Sequence, residues 1–199
     1  MKIGFIGAGA IAQALASQMV KRGHEVFLSN SRGPDSLAEA VRRLGSKARA
    51  TTREHASQRD IVVLAVPWQH VPQALADLPP WRGRIVVDTT NPVIQPGFRV
   101  ADLGGNTSSE VVSGLAPGAR VVKVANTLPP PLLGADPQVG DGRRVLFMSG
   151  DDAAAKGDVQ RLLEEIGFAI IDLGGLVEGG RLHQFPGGPL PALNLVKLS

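Results

Sequence analysis

The sequence predicts an α/β fold: one Rossmann-like, doubly wound, mostly parallel sheet of about eight strands, in a single domain over residues 1–199. Three observations predict it. Short Val- and Ile-rich runs alternate with amphipathic stretches along the chain. The runs lack apolar–polar alternation, as strands covered on both faces do. The first run leads straight into a Gly-x-Gly-x-x-Ala turn that opens a helix.

Taken in order, the expected strands are Lys2–Ile6, Glu25–Ser29, Ala48–Thr51, Asp60–Val66, Arg84–Asp88, Arg120–Val124, Arg144–Ser149 and Phe168–Asp172. Helices fall between them. Ala10–Arg22 ends at Gly23, and Ser36–Leu44 ends at Gly45. Thr107 and Glu110 have the spacing of a capping box for a helix through Leu115. Asp151–Ile166 begins with acids that favour a helix N-terminus and stops at Gly167. Pro129–Pro131 and Pro137 make Leu128–Gly142 a loop by expectation. Residues from about 174 to 199 form a C-terminal extension, with Gly187–Pro191 before an apolar tail, Ala192–Leu198. Both segments read equally as surface connections or as a cover over the crevice or a subunit contact.

Composition removes several function classes. The 199 residues include no cysteine, which excludes disulfides, thiolate metal sites, iron–sulfur clusters and a cysteine nucleophile. His24, His55, His70 and His183 lack metal-ligand spacing, so no metal is expected. A net charge of +3 and the lack of tyrosine give no nucleic-acid platform. The longest apolar run, Ile61–Trp68, is far too short to cross a membrane. Gly4, Gly7 and Gly9 break the only stretch that mimics a signal peptide, so a cytoplasmic location is expected.

The strand–turn–helix at the start carries the chemistry. Gly7 allows the tight turn, Ala8 bridges it, and Gly9 lets a pyrophosphate reach the backbone. Ala10 and Ile11 open the helix, whose free amides attract anions, and Ala12 keeps helix and strand close. An NAD site usually places an acid at the end of the second strand. Here that end reads Ser29-Asn30-Ser31-Arg32, with Asp35 only beyond Gly33-Pro34. Asn30 and Ser31 are uncharged, and Arg32 offers a planar fork to a phosphate. NADP(H) is therefore expected over NAD(H).

Ligands of open α/β sheets lie at the carboxyl ends of the strands. Those ends carry Ala65-Val66-Pro67-Trp68-Gln69-His70, Thr89-Thr90-Asn91-Pro92 and Ala125-Asn126-Thr127-Leu128. His70 is the best catalytic acid–base candidate, although such a histidine more often orients a loop. Lys123 lies inside a predicted strand and reads as structural rather than as a proton donor.

Lys2–Arg32, Val66–His70, Asp88–Pro92, Val121–Lys123 with Asn126-Thr127, and Ser149–Asp152 together resemble the NADPH-dependent deazaflavin (coenzyme F420) reductase family. The reductase domain of the STEAP metalloreductases is similar as well. The resemblance implies an NADPH-dependent oxidoreductase that passes hydride to a stacked flavin- or deazaflavin-like ring. It places Gly7, Gly9, Ala10 and Ile11 at the pyrophosphate and Asn30, Ser31 and Arg32 at the adenosine phosphate. Ala65, Val66 and Pro67 would line the ribose and nicotinamide, with His70 and Asn91 beside them, and Asn126 and Leu128 would face the second ring. The expected partner is a small-molecule electron acceptor, and by analogy with small reductases the chain is expected to form a homodimer. A reductase of small carbonyls or imines and a non-catalytic NADPH sensor remain the alternatives.

Overall fold

All eight apolar runs become strands of one sheet in the computed structural model, which describes residues 1–198. In chain order the elements are β1 (Lys2–Ile6), α1 (Ala10–Lys21), β2 (Glu25–Ser29), α2 (Ala38–Leu44), β3 (Ala48–Ala50), α3 (Arg53–Ala56) and β4 (Ile61–Leu64). Then come α4 (Val71–Leu75), β5 (Ile85–Asp88), β6 (Val93–Ile94), β7 (Arg99–Val100), α5 (Ser108–Leu115), β8 (Arg120–Val124) and α6 (Pro130–Gly134). The chain continues through β9 (Gln138–Val139), β10 (Gly142–Gly150), α7 (Ala153–Glu165), β11 (Ala169–Asp172), α8 (Glu178–His183) and β12 (Val196–Leu198).

The main strand order is β11-β10-β8-β5-β4-β1-β2-β3. Strands β3, β2, β1, β4, β5 and β8 run parallel. The direction of winding reverses between β1 and β4, which opens a crevice at their carboxyl ends. Alternate residues of the central strands enter different cores. Ile61 and Val63 of β4 pack with α1 and α7 on one face, while Val62 and Leu64 pack with α4 and α5 on the other. This double covering is the reason the strands read as unbroken apolar runs.

Strand β10 breaks the parallel pattern. It runs antiparallel to β8, yet only Met148–Gly150 pair with that strand. Its earlier residues continue past the end of β8. They are flanked there by β9 and β12 at 142–144 and by β11 at 145–148. The sheet therefore rises beyond its own ligand line on this side and forms a wall.

The proline-rich segment is a correction to the expected loop. Pro129 caps α6 and Pro130 occupies its first turn, where the missing N–H costs nothing. Gln18 Nε2 of α1 donates to the carbonyls of Gly134 (2.9 Å) and Ala135 (2.5 Å), so α6 is tied to α1. The tail also gains structure, since Val196–Leu198 pair with the start of β10. At Thr107 the expected capping box is present: Glu110 N donates to Thr107 Oγ1 at 3.2 Å and Thr107 N to Glu110 Oε2 at 2.7 Å. Among the described residues no helix is long and apolar enough to cross a membrane.

Gly4 marks the tightest strand–helix approach. A Cβ there would lie 2.0 Å from the Ala56 carbonyl oxygen of α3. Gly4→Ala should lower stability by about 1–3 kcal/mol through overpacking, read as a lower urea midpoint. Gly9→Ala should change stability by less than about 1 kcal/mol, because a Cβ at Gly9 has no neighbour within 4 Å.

Candidate active site

The turn after β1 is shaped by two different constraints. Gly7 has φ +107°, and a Cβ on it would strike the Ala65 carbonyl oxygen at 2.2 Å. Its amide donates to Ser29 O at 3.0 Å, which joins the ends of β1 and β2. Gly9, by contrast, is exposed and faces open space. It caps α1 without a side chain, and the first turn of that helix carries no acid. The leading amides of α1 are thus left for an anion. Gln13 Nε2 donates to Ala8 O at 2.8 Å, and Gln13 Oε1 accepts from Arg43 Nη2 at 2.8 Å. Sequence reading did not pick out this brace, because Gln13 and Arg43 lie 30 residues apart.

After β2 the backbone folds around Asn30. Asn30 Oδ1 accepts from the Arg32 amide at 3.0 Å, and Asn30 Nδ2 donates to Ser36 Oγ at 2.8 Å. Ser31 and Arg32 are exposed. The Arg32 guanidinium takes part in no ion pair among the described residues. A phosphate at this corner would meet an uncommitted guanidinium and no carboxylate at the strand end.

The other expected residues follow the ends of β4, β5 and β8. Ala65 and Val66 are half-buried at the end of β4, and Pro67 is exposed. His70 closes a 3-10 turn, Trp68–His70, with its side chain exposed. Leu128 is buried in the main core beneath the crevice. Asn91 and Asn126 interlock across β5 and β8. Asn91 Nδ2 donates to Asn126 O at 2.8 Å, and Asn126 Nδ2 donates to Asn91 Oδ1 at 3.0 Å and to His183 O at 2.5 Å. Asn126 Oδ1 is buried and has no hydrogen-bond partner among the described residues. Ala125, just before it, is held at φ +60°, a conformation that favours glycine and is kept only where the surroundings insist on it.

Beneath this pair lies a polar cluster that the sequence did not reveal. Lys123 is fully buried. Its ammonium donates to Thr90 O at 2.8 Å, Ser108 Oγ at 3.0 Å and Asp88 Oδ2 at 3.3 Å. Asp88 Oδ2 also accepts from Ser109 Oγ. Asp88 Oδ1 takes the Thr90 amide at 2.9 Å and the Thr90 hydroxyl at 2.7 Å. Burial lowers the pKa of Lys123, and Asp88 opposes that shift. Every Lys123 proton donates within the cluster, so the residue is structural. His183 packs nearby, with Nε2 2.8 Å from Ser149 Oγ. Its pKa is lowered to about 3, first by burial and then by the Lys123 charge.

Two measurements follow from the cluster. Lys123→Met should cost about 3–5 kcal/mol in urea unfolding, because it leaves the Asp88 charge buried without its partner. Combining it with Asp88→Asn should restore part of that loss. The second concerns pH. The folded pKa of His183 lies below the ordinary 6.5, so below that pH the unfolded chain takes up a proton that the folded chain refuses. Stability should fall as pH drops from 6.5 toward about 3, by up to about 1.4 kcal/mol per pH unit from this group. His183→Gln should reduce the measured slope by that one-proton amount.

With this geometry in place, comparison with known proteins becomes informative. The family pattern described as NADP oxidoreductase, coenzyme F420-dependent, matches residues 2–92. That span holds the phosphate turn, the Arg32 corner and the ends of β4 and β5. A hypothetical protein of Sinorhizobium meliloti, SMa0349, is 45% identical, with a TM-score of 0.93 over 99% of this chain and 96% of that one. A structure from Arthrobacter sp., described as a candidate F420-dependent NADP-reductase, is 28% identical, with a TM-score of 0.70 over 88% and 86% of the two chains. Rat metalloreductase STEAP3 is 29% identical over 192 residues, 96% of this chain. The chain spans 37% of STEAP3 and 35% of mouse STEAP2, little more than a third of these curated relatives. Over residues 2–92 the chain is therefore similar to the NADP oxidoreductases described as coenzyme F420-dependent.

Proposed function

We propose that this protein transfers hydride between NADPH and a flavin- or deazaflavin-like ring. The observation that carries the coenzyme half is the open Gly9 turn at the N-terminus of α1, flanked by the uncommitted Arg32. The amides of Ala10 and Ile11 would hold the pyrophosphate, with Ala8 and Gly7 shaping the turn. Arg32, with Ser31 and the Asn30-bound backbone, would hold the adenosine phosphate. Ala65, Val66 and Pro67 would pack the nicotinamide half against the end of β4. When bound, NADPH supplies a hydride and leaves as NADP⁺, while the ring gains two electrons with that hydrogen and completes its reduction with a proton from water.

The acceptor half is supported by what the crevice can do with protons. Reduction of a carbonyl or imine calls for a positioned acid. Lys123 has all its protons engaged below the surface, and His183 is held neutral and bonded to Ser149. His70 is exposed, and its ring makes no hydrogen bond or ion pair among the described residues. Hydride transfer between stacked rings asks mainly for proximity and exclusion of water. Asn126 and Asn91 would set the floor on which the two rings meet.

Anaerobic mixing with NADPH and a panel of flavins, deazaflavins, quinones and small imines tests the reading. Loss of nicotinamide absorbance with ring acceptors is expected. Loss with imines alone would replace it with the carbonyl–imine reading, and binding of NADPH without any turnover would point to a sensor. Arg32→Ala should weaken NADPH binding by about 10–100-fold, the worth of a charge-assisted contact, and leave NADH binding little changed. Gly9→Ala should weaken both coenzymes while the fold persists. Titration of coenzyme fluorescence checks both variants.

A further inference from the structure

The chain has six phenylalanines. Phe5, Phe147 and Phe168 are buried in the cores, and Phe27 lies under the Arg59 guanidinium, 4.1 Å from its ring centre. The remaining two stand in water together. Phe98 is 54% exposed and Phe185 is 36% exposed. Their ring centres are 5.6 Å apart at 67°, an edge-to-face contact. Such a contact occupies the edge of one ring and leaves a ring face free. Phe98 is also held at φ +51°, a conformation rarely adopted by a bulky residue.

The pair is tied to the crevice from several sides. Phe185 donates its amide to Asn91 Oδ1 at 3.1 Å, and Asn91 interlocks with Asn126. Phe98 sits at the tip of the β6–β7 hairpin, which follows directly from the end of β5. That tip is joined to the turn after β4 through Gln69, whose Oε1 accepts from the Gln95 amide at 3.1 Å. Beyond Phe185 the chain crosses to Thr127, whose carbonyl accepts from Ala192 N at 2.9 Å. Two apolar rings are thus anchored at the rim where β4, β5 and β8 end.

We propose that Phe98 and Phe185 form the stacking platform for the acceptor, a planar conjugated ring of the isoalloxazine type. The hairpin tip and the C-terminal segment then decide which rings are used, while the α1 side holds the coenzyme. The consequence for turnover rests on the hydride-transfer reading above, but ring binding can be measured apart from it.

Riboflavin is the probe, with its fluorescence quenching followed in the presence of NADP⁺. Phe98→Asn removes the ring with a residue that tolerates positive φ, and Phe185→Leu removes the second ring but keeps apolar bulk. Each should raise the riboflavin Kd about tenfold, since ring stacking and lost area together are worth about that much. Phe98→Trp should retain binding, and NADPH affinity should not move in any variant. No quenching by the wild-type protein, or equal riboflavin affinity in all variants, would overturn the platform. So would sedimentation showing that the variants only dissociate a dimer, which would assign the pair to a contact between copies. Platform-dependent binding without NADPH consumption would sink the hydride reading and leave the platform standing. NADPH consumption with unchanged riboflavin KM in the variants would do the reverse.

Discussion

A lysine ammonium shut away from water sets the terms for the centre of this molecule. Lys123 can stay charged only if its three protons find acceptors, and the chain supplies them from the last residue of β5, the turn after it and the first turn of α5. Those bonds fix where β5 stops. They also fix the direction in which Thr89-Thr90-Asn91 leave the sheet. Asn91 then finds Asn126, and Asn126 finds the carbonyl of His183. The floor of the crevice is thus held from below by charge and from the side by amides. Such a network is costly to break at one member, because each group left behind is buried.

The turn after β1 and the end of β2 work on the opposite principle. There the groups that matter are left without partners inside the protein. The first amides of α1 have no carbonyl to meet, Gly9 has no side chain, and Arg32 extends into solvent. Rigidity comes from neighbours instead: Gly7 wedged under Ala65, and Gln13 bridging Ala8 to Arg43. An anion site needs donors that are both fixed and unspent, and this division of labour provides them.

This contrast also explains what could be read from the sequence. The turn at Gly7–Ile11 and the strand end at Asn30–Arg32 are local, so spacing and residue type exposed them directly. The eight strands were legible because both faces of the sheet are covered. The buried cluster was not legible, since Asp88, Ser108, Lys123 and His183 meet only through the topology. The prolines at 129–131 suggested a loop, but they serve as the cap and first turn of α6. The paired segments β6, β7, β9 and β12, of two or three residues each, are too short to leave a periodic signal.

The overhang of β10 has a consequence for how such a fold can change. Because the sheet climbs past the tips of its parallel strands, β12 and the segment leading into it hang from a ledge that the β1–β3 half does not share. Length or composition can vary on that ledge without disturbing the turn at Gly7–Ile11 or the strand end at Asn30–Arg32. One half of the sheet is therefore free to drift while the other keeps the turn after β1 and the Arg32 corner as they are.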